Sequence, residues 1–314
     1  MTTETNKSPY ETYNKPSWFS KNLIAIVTIL FGLISINLIF FSKSYYGNTV
    51  DPTKAAQLGN FVGGYVGTIF ALISVMFLYL TLRDQRESST LEKFETKYFE
   101  LIKLHRDNVA EIGIGDDFGK KIFVILIREF REILKIAKGV VKRHNLDYSQ
   151  EKLFVAAYCG LFFGVGPNSS RMLKESLFEF DKAFIDDFEN SMNNEDTKHK
   201  IKEERKLKFM PFEGHQSRLG HYYRHLYQTV CYVDDKGFNI DKYEYIKTVR
   251  AQLTTHEQAL LFINSLSPHG REWNEETLLL RYRLVKNIPP NFFDPKSEID
   301  LPSYFPNDYF EWQE

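Results

Sequence analysis

FVGGYVGTIFALISVMFLYLTL, residues 61–82, contains no charged side chain and passes directly into RDQRESSTLEKFETKYFELIKLHRDNV, residues 83–109, which contains no proline or glycine. At 1.5 Å per residue, an apolar run of about twenty residues covers the roughly 30 Å of bilayer hydrocarbon. In the following stretch Leu91, Phe94, Tyr98, Ile102 and His105 recur at three- and four-residue intervals. That spacing lays an apolar stripe along a charged helix. The junction therefore predicts a transmembrane helix that continues as a stalk over residues 83–112. The stripe is to be covered either by the remainder of the chain or by a second copy of the stalk.

A second uncharged run, NLIAIVTILFGLISINLIFF, residues 22–41, lies upstream and also has the length of a full span. The two spans, 22–41 and 61–82, make a hairpin over residues 22–82, preceded by a polar tail over 1–21. That tail, the length of the apolar run and the lack of a small-residue cleavage site argue against a signal peptide. Lys7, Lys15 and Lys21 precede the first span, Lys43 and Lys54 lie between the spans, and Arg83, Arg86, Lys93 and Lys97 follow the second. The basic cluster after Leu82 predicts that both termini are cytoplasmic, with the lipid bilayer as first partner. Gly59, Gly63 and Gly67 fall four residues apart, with Gly64 alongside, so one face lacks side chains. Such a face permits close helix packing, against the first span or in a homo-oligomer. Neither span carries an ionisable residue, which argues against a proton relay or ion-coupled transport.

The bulk composition hides this segregation. Of 314 residues, 40 are basic and 41 acidic, so no global charge points to nucleic acid or an acidic substrate. The two cysteines, Cys159 and Cys231, form no CxxC pair and no zinc-ligand cluster. They read as reduced thiols, and no metal or cofactor is expected.

Beyond the stalk, helical spacing dominates and strand signals are scarce, giving an all-α class with a cytoplasmic helical bundle over residues 113–287. IGIGDDFGK, residues 112–120, is a loop; its GxG lacks the third glycine and the preceding strand of a dinucleotide site. Residues 120–141 read as a core helix. LFVAAYCGLFFGVG, residues 153–166, is short for a span and reads as a buried helix, with a third crossing as the alternative. Residues 172–192 read as one amphipathic helix, and the charged stretch 193–208 as a solvated loop or helix end. Residues 288–314 hold five prolines and cannot form a long helix, so they are expected to pack as an extended strap through their aromatics.

The most unusual segment is GHQSRLGHYYRHLYQTV, residues 214–230. If it is helical from Gln216, then Leu219, Tyr223, Leu226 and Val230 form an apolar stripe, beside a polar one of Arg218, His221, His225 and Gln228, with Arg224 adjacent. Guanidinium and imidazole donors in such a row suit an anion, a phosphate or an acidic helix end. The competing reading is a structural polar network. His221 and His225 stand at i and i+4, but without a third ligand a metal site is not supported. A second candidate is RAQLTTHEQALLFINSL, residues 250–266, whose Arg250 and His256 show the R-x5-H spacing that resembles HEPN-type ribonucleases, where such a pair acts on phosphate and 2′-hydroxyl without metal. Ala251 stands where that pattern has a polar residue. Thr254 and Glu257 equally read as a capping box that opens a helix.

Taken together, the glycine-rich second span, the KFETKYFELIKLH stalk, the 214–230 segment and the 250–266 helix resemble the phage abortive infection family related to the AbiC-type proteins. The likeness runs from Leu58 to about Leu284. It implies a bacterial antiphage role and transfers no catalytic residue. The expectation is a membrane-anchored effector whose cytoplasmic domain senses infection or a partner, such as another defence protein, a phage component or RNA, and whose hairpin perturbs the membrane. The alternatives are a tethered HEPN-like ribonuclease and a non-enzymatic scaffold or adaptor.

Overall fold

The computed structural model describes residues 18–40 and 51–313. Residues 1–17, with Lys7 and Lys15, residues 41–50, with Lys43, and the side chain of Lys21 lie outside the described residues. The chain divides into two compact units, residues 1–89 and 90–314. It is mostly helical, as the sequence pattern predicts.

In the first unit, α1 spans Trp18–Phe40 and α2 spans Pro52–Phe61, the latter opened by the Asp51 carboxylate accepting from the Thr53 amide at 2.9 Å. A π-helical turn over Val62–Val66 leads into α3, Gly67–Glu111, so that residues 52–111 form one continuous helix. This helix is long and apolar enough to cross a membrane by length and composition. Its first half leaves Leu72, Val75, Met76 and Tyr79 more than 60% exposed, an apolar surface of the kind that marks a membrane or protein contact. The Phe70 ring lies against Gly32 of α1, where an added Cβ would come within 3.0 Å of it.

In the second unit the stripe on α3 is covered by this chain. Phe94, Tyr98, Ile102, His105 and Val109 are all buried, whereas Leu91, read as part of the stripe, is 38% exposed. The Phe94 ring stacks on Tyr232 and meets Tyr245 edge-on, and the Tyr98 hydroxyl donates to the Tyr245 carbonyl at 2.7 Å. A two-residue hairpin, β1 (Gly113–Ile114) with β2 (Asp117–Phe118), replaces the expected plain loop. Next come α4, Lys121–Arg143, and α5, Gln150–Phe163, which pack on each other. Leu153, Phe154 and residues 156–163 of α5 are buried within the unit, Phe154 meeting Phe130 and Phe293 edge-on. That surrounding core leaves no face of α5 for lipid, as its reading as a buried helix requires.

Two readings are corrected. Residues 172–192 are not one helix: α6 ends at Ser176 and α7 begins at Lys182 (Ser169–Ser176, Lys182–Asn193). The break is tertiary, since the Tyr148 hydroxyl accepts from the Asp181 amide and donates to its carboxylate, and Phe180 and Phe184 stack beside that tyrosine. The charged stretch 193–208 contains a further helix, α8, Glu195–Arg205, whose Asn194 cap accepts from the Thr197 amide at 2.8 Å. The cap and the Lys198–Glu195 pair at 2.8 Å outweigh its lack of apolar periodicity.

The remaining helices are α9, Gln216–Asp234, α10, Lys242–Arg250, α11, Thr255–Leu266, α12, Glu272–Glu275, and α13, Leu278–Arg281. The capping box of Thr254 and Glu257 opens α11 as expected. Residues 288–313 run as turns and short 3₁₀ segments over the unit, with Ile288, Phe293, Leu301, Tyr309 and Phe310 buried. Arg131 holds this strap through Glu298 at 2.7 Å and the Phe292 carbonyl at 2.5 Å.

Candidate functional site

The polar stripe depends on how α9 begins. Gly164, φ +72°, follows the last turn of α5, and Gly214, φ +87°, precedes α9. The two backbones cross so closely that a Cβ on Gly214 would lie inside the contact radius of the Phe163 carbonyl oxygen, and one on Gly164 inside that of the Gly214 nitrogen. Only glycine provides both the conformation and the space. Around the crossing, the Val165 amide donates to Phe212 O at 2.7 Å and the His215 amide to Phe162 O at 2.9 Å.

Below lies Glu129 of α4, its side chain wholly buried. One carboxylate oxygen accepts from the Phe212 amide at 2.7 Å, and the other is 2.9 Å from His215 Nε2. Arg218 Nη1 faces His215 Nδ1 at 3.5 Å, so the network assigns the lone pair to Nδ1 and the donated hydrogen to Nε2. Arg218 Nε in turn donates to the Gly113 carbonyl at 2.8 Å. A buried carboxylate thus orients, through one imidazole, the first guanidinium of the stripe.

Arg218, His221, Arg224, His225 and Gln228 all line one cleft of about 550 Å³. The other wall is Asn108 and Glu111 of α3, with Ile112 and Gly113, and Ser217 and Tyr222 complete it. Asn108 and Glu111 follow His105 at three-residue steps, so their side of α3 was visible in the sequence, but not what it would face. Among the described residues, the side chains of His221, Arg224 and Gln228 have no hydrogen bond or ion pair. Two guanidiniums against the single carboxylate of Glu111 give the cleft a basic balance and forked donors suited to an oxyanion.

Beneath the cleft the His105 ring stacks on His225 at 6.2 Å and leans on Tyr222 at 5.4 Å. None of the four ring nitrogens of His105 and His225 has a hydrogen-bond partner. Burial, with the charges of His225 and Lys120 adding to it, pushes His105 down to about 4, and burial also holds His225 below the ordinary imidazole range. Both rings are neutral at pH 7.

The other sequence candidates sit elsewhere. Arg250, at the end of α10, is buried and donates from Nη1 to the carbonyls of Tyr282 and Arg283 at 3.2 and 3.1 Å, so its guanidinium ties α10 to the chain after α13. His256, in the first turn of α11, meets the Phe292 ring edge-on at 5.3 Å. Among the described residues, nothing lies within 4 Å of where a Cβ on Gly59, Gly63 or Gly64 would sit, and one on Gly67 would meet only the Val62 carbonyl at 3.7 Å. Cys159 and Cys231 are free thiols. Among the described residues, no group of three or more His, Cys, Asp or Glu side chains is arranged to hold a metal ion.

Comparison with known proteins places one part of the chain in a family context. Residues 214–293 match the family described as putative phage abortive infection protein. Comparison with curated proteins and with solved structures gave no match. The matched segment begins at the glycine crossing and contains α9 through α13, including all five stripe residues of the cleft.

Proposed function

We propose that this chain is a membrane-anchored antiphage effector whose basic cleft on α9 binds an anionic signal of infection and whose apolar hairpin then perturbs the membrane. The observation that carries the reading is the coincidence of the family match with the cleft: the segment similar to phage abortive infection proteins is the one that supplies Arg218, His221, Arg224, His225 and Gln228.

The membrane half of the reading draws on the continuous helix of residues 52–111, on α1 packed against it at Gly32, and on the charge-free span sequences. Both termini are cytoplasmic in this scheme, by the basic residues after Leu82. The glycines at 59, 63 and 64, with nothing packed on them among the described residues, favour assembly of several copies.

The test is phage challenge of cells expressing the full chain, with a potential-sensitive dye recorded through infection. Protection accompanied by depolarisation is the expected result. Arg218→Ala with Arg224→Ala is expected to abolish both at unchanged protein abundance. Protection with an undisturbed membrane potential rejects the membrane step, and protection by the double variant rejects the cleft as sensor.

A further inference from the structure

A second cavity, of about 420 Å³, opens on the neighbouring stripe of α9. The two adjoin through Arg224, which lines both. The cleft takes residues 217, 218, 221, 222, 224, 225 and 228 of the helix, whereas the second cavity takes 216, 220, 223, 224 and 227. The two stripes present different side chains. The cleft is cationic and polar, and the second cavity is walled by Phe162, Tyr223, Tyr227, His269 and Trp273. Its volume lies within the range of small-molecule sites, about 300–1,000 Å³.

At its base is Asn264, 2% exposed. Asn264 Nδ2 donates to the Tyr158 hydroxyl at 2.8 Å, while Oδ1 has no partner. A buried carboxamide oxygen without a donor is uncommon, and among the described residues it shares that condition with the ring nitrogens of His105 and His225. Gly270 lies directly over this carboxamide, where any Cβ would collide with it, so a side chain is kept out of the cavity floor. On one wall the Phe162 and His269 rings are stacked at 5.7 Å with 16° between planes, and on another Tyr227 and Trp273 meet edge-on at 5.1 Å.

Aromatic walls beside an unpaired guanidinium at the rim describe a ligand with three parts: a planar ring, a linker, and an anionic tail. We infer that the two cavities form one site for a nucleoside triphosphate, the base stacked in the aromatic cavity and the phosphates held by Arg224, Arg218 and His221 in the cleft. Glu272, on the rim of the aromatic cavity, is an acceptor for ribose hydroxyls. The inference rests on the reading of the cleft as an anion site and adds the identity of the anion.

The test is titration of the full chain in detergent micelles with ATP, GTP, CTP and UTP, with the matching nucleosides, and with tripolyphosphate. At least one nucleoside triphosphate is expected to bind about tenfold more tightly than both its nucleoside and tripolyphosphate. Gly220→Leu fills the aromatic cavity from α9, where a built Cβ is 3.9 Å from the Phe162 ring and therefore has room to start. It is expected to weaken the nucleotide about tenfold and leave tripolyphosphate unchanged. His269→Ala, at an exposed position, removes one stacking wall and gives the same pattern if Gly220→Leu does not fold. Arg224→Ala weakens both ligands. Equal affinity for nucleotides and tripolyphosphate, or indifference to both cavity variants, overturns the nucleotide assignment and leaves the anion cleft standing. No binding of any of these ligands at millimolar concentration overturns the two together.

Discussion

Glu129→Gln changes one atom in the foundation of α9, and its consequence can be worked through. Both carboxylate oxygens are engaged, one by the Phe212 amide and one by His215 Nε2, and the side chain has no solvent access. Glutamine keeps one oxygen. If that oxygen stays with Phe212, the new NH₂ faces the Nε2 hydrogen of His215. Moving that hydrogen to Nδ1 relieves the clash only by aiming it at Arg218 Nη1, 3.5 Å away. If the amide flips, its NH₂ faces the Phe212 N–H instead. Every arrangement leaves a donor against a donor in the interior. The loss is a charge-assisted hydrogen bond, about 1.5–3 kcal/mol, and a stranded buried donor, about 1–3 kcal/mol, so the expected destabilisation is about 3–5 kcal/mol. For a unit of this size each kcal/mol moves the midpoint by about 2–4 °C, which makes the expected drop in Tm about 10 °C. Thermal unfolding of the full chain in detergent, followed by circular dichroism at 222 nm, roughly the helix minimum, measures it. A drop of less than about 2 °C refutes the argument that this carboxylate organises the start of α9.

Other outcomes follow from the same geometry. Gly214→Ala combines a left-handed backbone with a collision at Phe163 O and is expected to cost at least about 3 kcal/mol, seen as loss of folded protein or a markedly lowered Tm. Thr254→Ala removes the α11 cap and one of the donors to buried Glu257, and a loss of about 1–2 kcal/mol is expected in chemical denaturation. His105 titrates at about 4 when folded and near 6.5 when unfolded, so the unfolded chain binds the extra proton between those values. Stability from this group is therefore complete above pH 6.5 and is lost as pH falls toward 4, by roughly 3 kcal/mol. His105→Phe is expected to raise stability at pH 7 by about 1 kcal/mol and to flatten the acid side of the stability profile, because two unpaired ring nitrogens leave the interior. An unchanged acid slope refutes the assignment of that loss to His105.

Local periodicity carried much of this architecture. The stripe Phe94, Tyr98, Ile102 and His105 fixed the buried face of α3, and the Thr254–Glu257 pair fixed the start of α11. Both signals lie within a few residues of the structure they specify. What the sequence concealed was set by distant partners. The break between α6 and α7 depends on Tyr148, more than thirty residues earlier, and Leu91 keeps the helical spacing but extends past the covered part of α3. In α8 a single buried residue, Ile201, left no periodicity to read. The polar row on α9 was visible as a row, and its five residues do share a cleft. Its opposite wall, Asn108 and Glu111, is a hundred residues away along the chain, and nothing local announces it. The second cavity was hidden for the same reason: Phe162, Gly220, Asn264 and Trp273 meet only through the packing of α5, α9, α11 and α12.

The glycine crossing also bears on modularity. The stretch similar to abortive infection proteins starts at Gly214, yet its first helix is fastened from outside that stretch, by Phe163 and Gly164 at the end of α5 and by Glu129 in α4. Cut out at its own borders, it would leave behind the carboxylate that orients His215 and the carbonyls that start α9. Exchange of this segment between related chains is therefore expected to succeed only when the α4–α5 pair travels with it. The structural unit that holds α9 in place is larger than the matched segment.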